Sequence, residues 1–105
     1  MGAERNEMNE YNSRIDIIFM ALADATRRNI IDRTLDTSLT VNQIAIDYDM
    51  SLAAVSKHLK VLDEAGLITR RKNGRFVFVS ARPEGLDIAR EYIDTYGTAK
   101  ELIGS

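Results

Sequence analysis

A chain of 105 residues with 45% hydrophobic and 29% charged residues has the composition of a single soluble globular domain with a modest core. It holds no cysteine, which excludes disulfides, thiolate metal sites and thiol redox chemistry, and it has no apolar run long enough to span a bilayer. The net charge of −2 is unevenly spread: residues 51–75 carry six Lys or Arg against two Asp or Glu, a local +4 that leaves −6 for the remainder. Such a patch attracts phosphate while the acidic remainder discourages indiscriminate binding, although charge alone is equally compatible with a solvated face.

The opening segment, residues 1–12, is polar and expected to be mobile, and it lacks the apolar stretch of a secretory signal. Ser13 and Asp16 have capping-box spacing and predict a helix to about Ala23. Its apolar residues, Ile15, Ile17, Ile18, Phe19, Met20 and Leu22, surround most of the cylinder, so one side can face the core and the other needs a partner. Asp24 can cap a second helix, residues 25–35, with Ile30, Ile31 and Leu35 inward and Arg27, Arg28 and Arg33 outward. Residues 36–39 read as a connector. Thr40 and Gln43 form another capping box for a short helix to about Tyr48, with Ile44 and Ala45 as its core residues.

Only Asp49 and Met50 then separate that helix from the next. Ser51 is a good N-cap, Val55, Leu59 and Leu62 recur as a narrow apolar stripe, and Gly66 stands where a left-handed residue ends a helix. The other face carries Ala53, Ala54, Ser56, Lys57 and Lys60, which are small, hydroxylated or cationic. Two short helices so closely joined, the second exposed and basic, form a helix-turn-helix signature with a helix suited to a DNA major groove.

Residues 67–72 and 75–80 are rich in β-branched and aromatic side chains, and Asn73-Gly74 between them is a strong two-residue hairpin signal. A turn at Asn73-Gly74 sets Lys72 opposite Arg75, a like-charge pair that makes sense where phosphate approaches; the hairpin reads as a wing. Pro83 suits the first turn of a last helix running to about Leu102. Leu86, Ala89, Ile93 and Tyr96 follow the spacing of a helix–helix seam, continued by Ile103, while Ile88, Tyr92, Ala99 and Leu102 make a second row for the domain's own core.

ALADATRRNII at 21–31, MSLAAVSKHLKVLDEAGLITRR at 50–71 and NGRFVFV at 73–79 together resemble the ArsR family of bacterial and archaeal repressors, over most of residues 15–103. The resemblance implies a mainly α, winged helix-turn-helix fold in α-α-α-α-β-β-α order. It also implies a homodimer that sits on operator DNA and is released by a signal, and because a two-fold dimer presents two recognition helices the expected site is an inverted repeat. On this sequence the DNA-contacting positions fall on Ser51, Ala53, Ala54, Ser56, Lys57 and Lys60, with Arg71, Lys72, Asn73 and Arg75 on the wing. Family dimers pair through the first and last helices, which implies an interface of Ile15, Phe19, Leu86, Ala89, Ile93 and Tyr96.

The departures are informative. Founding members sense metal through a cysteine motif before the recognition helix, where this chain reads VNQIAIDYD. Others bind zinc through histidine and carboxylate on the last helix, which here offers Asp87, Glu91 and Asp94 without histidine, a poor zinc set. No metal and no cofactor is expected, and the inducer is open. His58, the only histidine, reads as a helix residue packed beside the core in preference to a DNA contact. No phosphate loop or nucleophile motif is present, so the chain is not expected to be an enzyme. A winged helix used only for protein assembly, and activation in place of repression, stay open as alternatives. The expected compartment is the cytoplasm.

Overall fold

The computed structural model describes residues 2–102, with side chains described for 9–97. Five α-helices and a small antiparallel sheet follow in the order α1 (Gly2–Leu22), α2 (Ala25–Arg33), β1 (Leu39–Thr40), α3 (Val41–Asp47), α4 (Leu52–Glu64), β2 (Ile68–Asn73), β3 (Phe76–Ala81) and α5 (Asp87–Leu102). A 3₁₀ turn, Pro83–Leu86, leads into α5. This is the helix-turn-helix plus hairpin wing expected from the sequence. None of the described helices is long and apolar enough to cross a membrane.

Local signals account for most helix starts. Asp24, Thr40 and Ser51 each sit in extended backbone, and each side chain accepts the N–H three residues on, satisfying a donor that the helix itself leaves unpaired. The first helix departs from expectation: it starts at Gly2, not at Ser13, because residues 3–12 contain neither Gly nor Pro and several strong helix formers, so nothing stops it. The second stops at Arg33 instead of Leu35. Thr34 is buried and folds its hydroxyl back onto the Ile30 carbonyl (2.7 Å), and Leu35 is left exposed.

Of the three arginines expected to point outward, Arg28 is exposed and Arg27 and Arg33 are half-buried, and all three are engaged by the chain itself. Arg27 donates through Nε to the Ala21 carbonyl and through Nη2 to that of Met20, both at 2.8 Å, and Arg28 donates to Leu22 at 2.7 Å. The last carbonyls of α1 carry the negative end of its dipole, so cations from α2 are a favourable cap. Arg33 reaches Asp47 at 2.6 Å and ties α2 to α3.

The connector expected at 36–39 ends in a short strand. Leu39 and Thr40 pair with Val79 and Phe78, which makes a three-stranded sheet of order β1-β3-β2. The hairpin register also differs from expectation. Asn73 pairs with Phe76 and Lys72 with Val77, so the two-residue turn is Gly74-Arg75 and Lys72 does not face Arg75. Gly74 alone in the turn has positive φ (63°), the signature of a type II′ turn. A type I′ turn at Asn73-Gly74 would need two such residues. The displacement leaves every side chain on its original face, since strands repeat every two residues.

The core gathers Ile30, Ile44, Val55, Leu59, Leu62, Leu67, Ile68 and Val79, so every helix from α2 to α4 and both wing strands contribute. At its lower edge the 3₁₀ turn lies against the end of α4: a Cβ added at Gly85 would overlap the Gly66 carbonyl. Gly85→Ala should therefore lose about 1–3 kcal/mol of stability through overpacking against backbone. Urea denaturation checks this; a midpoint equal to that of the unsubstituted protein would contradict the contact.

Candidate nucleic-acid interface

The recognition helix α4 is held at both ends. Ser51 Oγ accepts the Ala54 N–H at 3.1 Å. At the other end Leu67 N–H bonds to the Leu62 carbonyl (3.0 Å) and Gly66 N–H to that of Asp63 (2.9 Å), with Gly66 at φ 73°: a Schellman stop. The preceding helix ends the same way, with Met50 N–H on the Ala45 carbonyl (2.9 Å), Asp49 N–H on Ile46 (3.2 Å) and Asp49 itself at φ 52°. That turn aims α4 away from α3 within four residues.

Between these stops Val55, Leu59 and Leu62 are buried, each worth about 1.5–3 kcal/mol of burial. The helical period then forces Ala53, Ser56, Lys57 and Lys60 outward, and all four are exposed. Ala54 is half-buried, and Ser51 is exposed but committed to its cap. On the wing Arg71, Lys72, Asn73 and Arg75 are exposed. Arg70 is not available in the same way, because Nε and Nη2 grip Asp63 Oδ2 at 3.1 and 2.6 Å and so brace the wing against α4. Among the described residues, Lys57, Lys60, Arg71, Lys72 and Arg75 take part in no ion pair. A cleft of about 290 Å³ separates α4 from the wing, with Asn42, Leu52, Ser56, Arg75 and Phe76 on its walls.

His58 lies on the inner side of α4. Arg27 Nη1 donates to His58 Nδ1 at 3.2 Å, so that nitrogen is the acceptor and the ring proton sits on Nε2. Asp24 Oδ2 stands 3.8 Å from the same nitrogen. The Arg27 backbone N–H, donating to the Asp24 carboxylate, holds its pKa below the usual value, and the Arg27 guanidinium acts in the same direction. The histidine therefore joins α4 to the α1–α2 corner, on the side away from Lys57 and Lys60. The sequence carried no signal for this cluster, whose members are up to 34 positions apart.

The residues assigned to a dimer seam separate along α5. Ala89 is buried and Leu86 half-buried within the protomer, and Ile15 is buried on the inner face of α1. Ile93 and Tyr96 are 53% and 61% exposed. Tyr92, assigned to the domain's own core, is on the surface: it meets Phe19 edge-on, with centroids 6.1 Å apart, and its hydroxyl bonds that of Tyr96 at 2.8 Å. Among the described residues of α5, Ile88 and Ala89 of the first turn are covered by the rest of the domain and residues 90–97 are all exposed, so position along the helix decides burial more than face. Ala99, Leu102 and Ile103 lie outside the residues whose side chains are described. Tyr11, Ile17 and Met20 of α1 are also exposed, Ile17 in a depression beside the end of α4. Asp87, Glu91 and Asp94 are exposed on α5, and no group of metal-ligating residues is gathered among the described residues.

This arrangement has counterparts among known proteins. Residues 24–70 match the model of the bacterial regulatory protein arsR family, which spans the α2 cap through the first residues of the wing. An HTH-type transcriptional regulator of Mycobacterium tuberculosis, Rv2034, is 40% identical over 91 residues, covering 87% of this chain and 84% of the relative. The transcriptional repressor SdpR of Bacillus subtilis is 33% identical over 60% of this chain and 70% of its own length. In solution, a homodimeric winged helix-turn-helix DNA-binding domain from Mycobacterium bovis superposes with a TM-score of 0.65 at 25% identity, covering 96% of this chain and 89% of that one. The chain belongs to the ArsR family of bacterial regulatory proteins, transcriptional regulators of the winged helix-turn-helix type and not enzymes.

Proposed function

We propose that the chain is a homodimeric repressor that lays the exposed face of α4 in the major groove of double-stranded operator DNA and rests the wing on the flanking backbone. One observation carries this reading: Lys57, Lys60, Arg71, Lys72 and Arg75 are exposed on α4 and the wing without acidic partners among the described residues, while Arg70 at the base of the wing, and Arg33 and Arg82 elsewhere, are paired. Unpaired cations on a groove-sized helix and an adjoining hairpin suit phosphate on either side of a base-pair edge. Bound there, the protein would occlude the site and so repress transcription; the relative SdpR is named as a transcriptional repressor. The compartment is the one that holds the DNA, the bacterial cytoplasm.

Two-fold pairing is the second part of the proposal. The exposed Tyr92, Ile93 and Tyr96 of α5, with Phe19 of α1 against Tyr92, form an apolar surface that a monomer would leave in water, and the Mycobacterium bovis neighbour is homodimeric. A two-fold dimer presents two recognition helices to an inverted repeat. Phe19 and Ile93 belong to this surface as assigned from sequence; Ile15, Leu86 and Ala89 support it from inside the protomer.

If about six phosphates are neutralised per dimer, the log–log dependence of affinity on salt should have a slope of roughly −5. Lys57→Ala with Lys60→Ala should weaken binding and flatten that slope; an unaltered slope and affinity in the double variant would place the DNA elsewhere. Ile93→Glu sets two like charges near the two-fold axis and should produce a folded monomer with operator affinity reduced about a hundred-fold or more, because the half-sites no longer share one binding event. Sedimentation and operator titration of the same sample decide it. A variant that stays dimeric and binds normally would assign the pairing to another face.

A further inference from the structure

The first turn of α4 displays an unusual set of side chains for a helix that reads bases. Leu52 is 53% exposed and Ala53 is exposed beside it, while the single hydroxyl of the turn, Ser51, is taken by the Ala54 N–H. The first side chains able to hydrogen-bond a base, Ser56 and Lys57, come one turn later. Leu52 borders the cleft toward the wing on one side. On the other it borders a shallow depression of about 490 Å³ with Ala45, Ile46 and Met50, where Ile46 is 78% exposed.

In the major groove a base pair offers hydrogen-bond donors and acceptors, or, at thymine alone, an apolar C5-methyl group. A turn without an available hydrogen-bonding side chain cannot tell the polar patterns apart, but it can bury the methyl. We propose that Leu52, with Ala53 beside it, reads thymine C5-methyl groups and thereby sets the operator's preference for T·A pairs beneath the first turn of α4. The inference rests on the DNA-binding reading above. The surface is continuous with Ser56, Lys57 and Lys60 on the same helix, so phosphates held by those lysines bring a base edge to Leu52. Asp49, the one charged residue of the depression, disfavours phosphate there and leaves the place to uncharged base edges. Leu52 was not among the contact positions expected from the sequence.

The test selects a duplex from a random-sequence pool with the full-length protein, then resynthesises it with deoxyuridine in place of thymidine. Burying one methyl group is worth about a four-fold change in affinity, so two half-sites read once each should give the thymine duplex an advantage of about fifteen-fold. Leu52→Ser should bring the two duplexes within about two-fold of each other, and Leu52→Met, which keeps the apolar contact, should retain most of the preference. Leu52→Gln, a good helix former, takes the place of Leu52→Ser if that variant does not fold. Equal binding of both duplexes by the unsubstituted protein overturns the proposal, as does full thymine preference in Leu52→Ser or Leu52→Gln, which would also point to a protein as the occupant of this apolar surface. A pool that yields no sequence-selective duplex instead overturns the DNA-binding reading on which the proposal stands.

Discussion

Everything in this molecule that could touch DNA is placed by the burial of one stripe, Val55, Leu59 and Leu62, against the remaining helices and the sheet. The stripe occupies about a third of α4, and the helical period leaves the opposite third to solvent. Its ends are fixed independently by Ser51 and by the Gly66 stop, so the helix can neither slide nor lengthen into its neighbours. Asp63 then carries the wing through Arg70, and His58 carries the α1–α2 corner through Arg27. Loss of packing at the stripe would release all of these together.

Charge is distributed so that the same small domain can present a cationic face without a cationic whole. Three arginines that composition alone would count toward phosphate binding do structural work instead: Arg27 and Arg28 cap α1, and Arg70 pairs with Asp63. The cations that remain unpaired on α4 and the wing are the ones whose side chains have no helix end or carboxylate nearby. At the other pole, α5 and α1 expose aromatic and branched residues among their charged ones. The two poles are chemically distinct, one suited to a polyanion and the other to a second apolar surface, and α4 connects them through the contacts of Arg27 with α1.

How much of this could be read from the sequence follows from the range of each interaction. Asp24, Thr40, Ser51 and Gly66 act within three or four residues, and their roles were legible. The stripe on α4 and its basic face were legible for the same reason. Strand β1 was not, because Leu39 and Thr40 become a strand only by meeting Val79 and Phe78 some forty positions later. The hairpin was recognisable but its turn was displaced by one residue, since Asn73-Gly74 and Gly74-Arg75 are both good two-residue turns and period two keeps the same faces for either. The row assigned to a seam on α5 divides between the interior and the surface of the protomer. Heptad spacing treats the helix as uniform along its length, whereas the domain covers Ala89 and leaves Ile93 and Tyr96 bare. The arginines of α2 and the Asp24–Arg27–His58 cluster had no periodic signal at all.

The central claim is that two copies of α4 enter the major groove on one side of an operator duplex. Hydroxyl-radical footprinting of the unsubstituted protein on a selected duplex at saturation tests it most directly. The account predicts two protected segments related by symmetry, centred about 34 Å apart or a multiple of that spacing along the helix axis. Protection of a single half-site at saturation, or uniform protection along the duplex without register, would contradict it.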